Sequence, residues 1–153
     1  VCLVPEKRQE LTTEGGLDMS KKQTVLKKSI NQLKSAGIMV SAFVDPIGER
    51  IEQARQLGVD AVELHTGAYA AKSSSRELIR LEVCAVRAHH LGLQVNAGHG
   101  IDYTNVKSIV KLPHCAELNI GFSIVARALF VGLSAAVREM LDLINQDVPK
   151  KRS

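Results

Sequence analysis

Short apolar runs alternate with amphipathic helical patterns along the chain. The runs are rich in β-branched residues and are continuous, which predicts strands buried on both faces of a parallel sheet. The predicted strands are Val1–Val4, Ile38–Val44, Ala61–His65, Leu93–Ala97 and Cys115–Ile120. Each is followed by apolar residues at helical spacing, so a strand and a helix alternate five times. This alternation predicts an α/β protein with a parallel sheet.

Local signals predict where several helices begin. Ser20 and Gln23 have the spacing of a capping box ahead of the first helical stripe. Asp45 and Pro46 predict an N-cap and the first helical position of the next helix. The last predicted helix has one apolar face, formed by Leu133, Val137, Met140, Leu141 and Ile144.

The length of the chain bears on the kind of parallel sheet. A (β/α)₈ TIM barrel takes about 250 residues, so five units in 153 residues leave about 100 residues for three more. This length fits a truncated barrel, and the apolar run Val1–Val4 begins at the first residue with no boundary before it. We therefore predict that residues 1–148 are the C-terminal portion of a single TIM-barrel domain, supplying about its last five β/α units. Residues 149–153 are predicted to be a basic tail. A five-stranded flavodoxin-like domain is the alternative, and it requires no further strands.

Composition excludes several classes of protein. Hydrophobic residues make up 45% of the chain and charged residues 24%, which excludes a disordered tail. No apolar stretch is long enough to span a bilayer, so no membrane partner is expected. A net charge of +4 with 3% aromatic residues argues against a nucleic-acid partner but leaves phosphate-bearing small molecules open. The widely spaced Cys2, Cys84 and Cys115 suit a reducing compartment.

Polar residues follow the predicted strands where ligands bind in parallel α/β folds. His99 lies between Gly98 and Gly100, which permit unusual backbone angles and close approach of a ligand. A histidine there can exchange protons near neutral pH. The alternative is a tight turn in which His99 only caps a helix.

Two further positions carry candidate chemistry. Glu63 and His65 alternate along one strand, so both side chains are expected inside the barrel. A buried glutamate without a partner costs several kcal/mol, which leaves a salt bridge and a catalytic task as equal alternatives. Gly121 precedes an apolar helix, whose N-terminal N–H groups would attract a phosphate. Close packing of helix and strand is the other explanation for Gly121.

Several collinear segments resemble one enzyme family. They are 2–10, 12–18, 63–67, 95–100 and 117–121, including the motifs ELHTG, VNAGHG and ELNIG. These segments are similar to those of pyridoxine 5′-phosphate synthase. The resemblance implies a (β/α)₈ barrel and a cytoplasmic transferase that assembles as a homo-octamer, with no metal or organic cofactor. The implied reaction condenses 1-deoxy-D-xylulose 5-phosphate with 3-amino-2-oxopropyl phosphate, giving pyridoxine 5′-phosphate, phosphate and water.

The resemblance also implies roles for individual residues. His99 resembles a catalytic histidine that transfers protons, and Glu63 a carboxylate that stabilises the transition state. Thr12 resembles a substrate-binding hydroxyl, Gly100 a main-chain substrate contact, and Gly121 part of a phosphate site.

The chain departs from the family at two points. Phe122 stands where the family usually has a histidine, so a side-chain donor to the substrate phosphate is expected to be missing. The family's other catalytic His and Glu, with several substrate-binding residues, belong to strands that precede this segment. We therefore expect the parent protein to be a synthase and the isolated chain to be inactive. The alternatives are another phosphate-binding TIM-barrel isomerase or aldolase, and a non-catalytic half-barrel module.

Overall fold

Strands and helices alternate in residues 1–5 and 15–147, which the computed structural model describes. The strands are β1 (Cys2–Leu3), β2 (Ser41–Val44), β3 (Ala61–His65), β4 (Gln94–Gly98) and β5 (Cys115–Asn119). The helices are α1 (Gln23–Ser35), α2 (Gly48–Leu57), α3 (Gly67–Lys72), α4 (Ser75–His90), α5 (Val106–Ile109), α6 (Phe122–Val131) and α7 (Leu133–Asp147). All five predicted strands are confirmed, with ends that differ by a few residues at most. The short helix α3 was not predicted, and the predicted basic tail lies outside the described residues.

The order of the strands decides between the two predicted architectures. All neighbouring strands are parallel, and their order across the sheet is β1-β2-β3-β4-β5. A flavodoxin-like sheet would place the first strand between the second and the third. Strands that follow one another in chain order are the arrangement found around a β/α barrel. The α/β class is confirmed, and the sheet corresponds to five consecutive strands of such a barrel.

Alternation along the strands gives the sheet two chemically different sides. On the covered face, six small or aliphatic side chains pack with helix residues into the core and are at most 1% exposed; they are Ala42, Val44, Val62, Leu64, Val95 and Ala97. The opposite side, here called the open face, has Phe43, Glu63, Asn96 and Glu117 in one row across four strands. An irregularity between Val95 and Asn96 in the pairing with β5 brings Glu117 into this row.

The two ends of the sheet differ from its centre. Strands β2, β3 and β4 are buried as predicted. In β5, Ala116, Glu117 and Asn119 are exposed, because the described residues place a strand on one side of β5 only. The predicted apolar face of α7 is only partly buried. Met140 is in the core, whereas Leu133 and Leu141 are exposed.

Two predicted caps are wrong. The hydroxyl of Ser20 donates to the Asp18 carboxylate, and α1 begins without a side-chain cap. Helix α2 begins at Gly48, three residues beyond Asp45. The Asp45 carboxylate accepts one hydrogen bond from the backbone N–H of Gly16 and pairs with His65 instead of capping α2. In both cases a tertiary or turn contact outcompetes the local cap.

A leucine-to-alanine substitution, made once on the covered face and once on α6, tests which of these positions belongs to the core. Leu64→Ala should lower the free energy of unfolding by about 2–5 kcal/mol, because it leaves a cavity at a fully buried site. Leu129→Ala, at a position that is 83% exposed, should change it by no more than about 0.5 kcal/mol. Urea unfolding followed by circular dichroism measures both. Equal losses would contradict the assignment of the core.

Candidate active site

A pocket of about 1010 Å³ opens at the carboxyl ends of the strands. We call it the strand-end pocket; its lining includes Val4, Phe43, Glu63, His99, Gly100, Asn119, Gly121, Phe122 and Ser123. Five of the six predicted site residues therefore lie around one space: Glu63, His99, Gly100, Gly121 and Phe122. The sixth, Thr12, lies outside the described residues.

The backbone of the His99 turn is held in a left-handed conformation. His99 has φ +80° and Gly100 has φ +73°. A non-glycine residue in this region is strained and persists only where its surroundings hold it. Here Thr66 provides the restraint: its backbone N–H and its hydroxyl both donate to the carbonyl of Gly98, at 2.9 and 2.8 Å, and the hydroxyl also contacts the carbonyl of His99. The turn therefore presents His99 to the pocket from a fixed backbone.

Glu63 is buried on the open face, and this burial favours its protonated form. Burial raises the pKa of the Glu63 carboxyl, and the nearby Glu117 adds to that shift. The amide of Asn119 donates to Glu63 Oε2 at 2.7 Å and opposes the shift, as does the Cys2 thiol at 3.5 Å. Among the described residues, no Lys or Arg forms a salt bridge with Glu63. Within that part of the chain, the salt-bridge explanation of its burial is therefore not supported.

Gly98 makes the space that Glu63 occupies. A Cβ atom at Gly98 would lie 2.1 Å from Glu63 Oε1 and 3.1 Å from the Asn119 Cβ. Any side chain at this position would therefore displace the carboxylate. The glycine before His99 has a packing role that its place in the sequence does not reveal.

Helix α6 begins at the rim of the strand-end pocket. Gly121 is its N-cap residue, and among the described residues no atom lies within 4 Å of a Cβ atom placed there. Within that part of the chain, close helix–strand packing does not explain Gly121. The Ser123 hydroxyl donates to the carbonyl of Ile101 at 2.8 Å and ties the helix start to the loop after β4. Phe122 is 90% exposed, and its side chain supplies no polar atom to the rim.

Sequence reasoning missed a pair of side chains beside His99. His65 Nδ1 lies 3.0 Å from Asp45 Oδ1, and the His65 and His99 rings meet edge to face with centroids 4.9 Å apart. The alternation of Glu63 and His65 correctly indicated that both side chains share a face. Asp45 follows β2 directly, at the position beside His65 in the β2–β3 register. This register could have identified the pair.

A second depression, of about 840 Å³, lies between α1 and α2 and carries none of the predicted site residues. Its lining is mostly exposed lysine and amide side chains, including Lys27 and Lys28. Because it lies away from the strand ends, we do not assign catalysis to it.

In residues 1–5 and 15–147, no group of three or more His, Cys, Asp or Glu is placed to hold a metal ion. Over the same residues, no helix has the length and apolar character needed to cross a bilayer.

Comparison with known proteins shows the family. The family model of the pyridoxal phosphate biosynthesis protein PdxJ matches residues 1–146. The pyridoxine 5′-phosphate synthase of Opitutus terrae is 53% identical over 145 residues, which cover 92% of this chain and 58% of that protein. The corresponding synthase of Prochlorococcus marinus strain MIT 9215 is 52% identical over 150 residues, covering 96% of this chain and 63% of that protein. The chain thus spans about three fifths of the length of these relatives.

A solved structure supports the fold alone. The crystal structure of the Amycolatopsis orientalis BexX/CysO complex contains a chain that superposes with a TM-score of 0.50 and 15% sequence identity. The match covers 86% of this chain and 55% of the other.

Two glycines that begin helices allow a matched test of the His65–His99 contact. A Cβ atom at Gly67 would lie 2.6 Å from His65 Nε2 and 3.1 Å from His99 Cδ2, whereas one at Gly48 would make only ordinary contact with Arg87. Gly67→Ala should therefore destabilise the protein by about 1–3 kcal/mol through overpacking. Gly48→Ala should be neutral or stabilising by up to about 1 kcal/mol, because alanine favours helix. Equal effects in urea unfolding would contradict the crowding at Gly67.

The raised pKa of Glu63 predicts a pH dependence of stability. Above its ordinary pKa of 4.5, the folded protein holds a proton that the unfolded chain has released, so stability falls as pH rises through the raised value. Glu63→Gln removes this titration and keeps a hydrogen-bond acceptor for Asn119. The free energy of unfolding of wild type should therefore fall relative to Glu63→Gln between pH 4 and 8. The exposed Glu49→Gln is the control, and a constant difference for Glu63→Gln would disprove the shift.

Proposed function

Because the chain belongs to the family of the pyridoxal phosphate biosynthesis protein PdxJ, we propose that it carries part of the active site of a pyridoxine 5′-phosphate synthase. The proposed reaction is the condensation of 1-deoxy-D-xylulose 5-phosphate with 3-amino-2-oxopropyl phosphate, with release of pyridoxine 5′-phosphate, phosphate and water. The observation that carries the proposal is the meeting of His99, Glu63 and the start of α6 around the strand-end pocket.

His99 is proposed to transfer protons during ring formation. Closing the pyridine ring requires removal of water and rearrangement of C–H bonds, and both need a group that accepts and donates protons near neutral pH. An imidazole can both accept and donate a proton there, because its ordinary pKa lies close to neutral pH. The clamped backbone of the turn supports this role, because a proton-transfer group acts only when it is held within reach of the substrate.

Glu63 is proposed to stabilise positive charge that develops on the substrate. Condensation of an amine with a carbonyl passes through iminium-type cations. A carboxylate in a buried site attracts such a cation more strongly than it would in water. The raised pKa of Glu63 supports this role, because its burial is only partly compensated by the neighbouring groups and a substrate cation would add compensating charge.

The start of α6 is proposed to bind a substrate phosphate. Free N–H groups at the N-terminus of a helix attract anions. With phenylalanine at 122, main-chain groups after Gly121 would hold the phosphate without help from that side chain. Thr12 and Gly100 are proposed as further substrate contacts.

Completion of the barrel by further strands is part of the proposal. The unpaired sides of β1 and β5 leave backbone hydrogen-bonding groups that additional parallel strands would satisfy. An eight-stranded barrel would need three more strands, and we propose that they supply the remaining catalytic groups. The complete protein is proposed to be a cytoplasmic homo-octamer, and the 153-residue chain alone is proposed to be inactive.

Complementation tests this function. The chain is mixed with the part of the Opitutus terrae synthase that it does not span, and product formation from the two phosphorylated substrates is followed by mass spectrometry. We expect pyridoxine 5′-phosphate from the mixture and none from either part alone. Product from the chain alone would contradict the proposed inactivity. A stable complex that forms no product would contradict the synthase, and turnover of another sugar phosphate by that complex would favour an isomerase or aldolase.

Substitution of His99 tests its proposed role in the same mixture. His99→Asn should lower turnover by about 10²–10⁴-fold with little loss of stability, because it removes the proton-transfer group and keeps a polar side chain. His90→Asn, at the exposed end of α4, is the matched control and should keep wild-type turnover. Near-normal turnover of His99→Asn would exclude His99 from the reaction.

A further inference from the structure

We propose that Asp45 and His65 form a positioning pair for His99. In this arrangement Asp45 holds a proton on Nδ1 of His65, and the His65 ring fixes the orientation of the His99 ring. The effect on catalysis rests on the function proposed above for His99, whereas the geometry of the pair does not.

The Asp45–His65 contact sets the tautomer of His65. Asp45 Oδ1 lies 3.0 Å from His65 Nδ1 and accepts the backbone N–H of Gly16 at 3.0 Å. An ionised carboxylate can only accept hydrogen bonds, so the proton of this contact belongs to the imidazole. Gly16 fits tightly against the backbone at Asp45, since a Cβ atom there would lie 2.2 Å from the Asp45 nitrogen. The carboxylate is therefore held from two sides.

The His65 ring in turn packs against His99. The two imidazoles meet at 70° with centroids 4.9 Å apart, and Phe43 lies 5.0 Å from His65 and 6.3 Å from His99. Gly67 leaves room for this cluster, since a Cβ atom there would crowd both imidazoles. Thr66 restrains the backbone of His99, and the contact with the His65 ring acts on the side chain of His99.

A purely structural role explains His65 less well. The Nε2 atom of His65 is buried and has no hydrogen-bond partner among the described residues. A buried nitrogen without a partner is unfavourable, and a phenylalanine would fill the same space without this cost. A hydrogen bond between Asp45 and His65 that supported only the fold would also not need to adjoin the side chain of His99. The arrangement is the one expected where a carboxylate orients an imidazole at a reacting site.

Nitrogen NMR of the 153-residue chain tests the geometry without any activity. At about pH 8, where free imidazole is neutral, His65 should carry its proton on Nδ1. A wild-type His65 protonated on Nε2 alone would overturn the proposal before any variant is made. Asp45→Asn and His65→Phe should both shift the ring resonances of His99, whereas Asp142→Asn, at an exposed position on α7, should not. Unchanged His99 resonances in the two pair variants would also overturn it.

Kinetics in the complemented enzyme test the effect on catalysis. Asp45→Asn and His65→Phe should each lower kcat by about 10-fold while KM changes by less than about twofold, because a misoriented His99 affects the reaction more than binding. Asp142→Asn should match wild type. A fall in kcat that is matched by an equal rise in KM would contradict a positioning role, and so would an unchanged kcat.

The two assays separate the proposals. If the NMR result holds but the complemented complex makes no product, the proposed function fails and the pair remains. If the complex is active and both variants keep their kcat, the function remains and the positioning role fails.

Discussion

The register of the parallel sheet is the constraint on which the site depends. Pairing of β2, β3 and β4 places Phe43, Glu63 and Asn96 in one row of the open face, and it puts their neighbours in the core. A shift of one residue in any strand would turn its polar side chains into the core and its aliphatic ones into the pocket. The aliphatic packing that stabilises the sheet therefore also fixes which polar groups reach the strand-end pocket.

Burial of Glu63 shows how this constraint produces chemistry. The carboxylate lies between β1, β4 and β5, with Asn119 as its nearest donor and Gly98 as the residue that makes room for it. Loss of hydration raises its pKa, and the hydrogen bonds recover only part of that loss. A site of this kind favours a cationic ligand. The same glycine also precedes the strained His99 turn, so one small residue serves both candidate groups.

Local signals and tertiary contacts compete at Asp45. An aspartate directly before Pro46 is typical of a helix N-cap, yet the Asp45 carboxylate pairs with His65. The competing partner comes from β3, twenty residues further along the chain, and no local pattern reports it. Gly121 is a similar case, because only the folded chain shows that the described residues leave the space beside it open.

The sequence by itself determined the five strands, the α/β class and the segments that line the pocket, because hydrophobic spacing and strand-end polarity are local properties. The resemblance of motifs such as VNAGHG and ELNIG determined the family in the same way. Only the tertiary structure decided the strand order, the pairing of Asp45 with His65 and the partners of Glu63. These depend on which residues become neighbours across strands, and that is set by the register and packing of segments far apart in the chain.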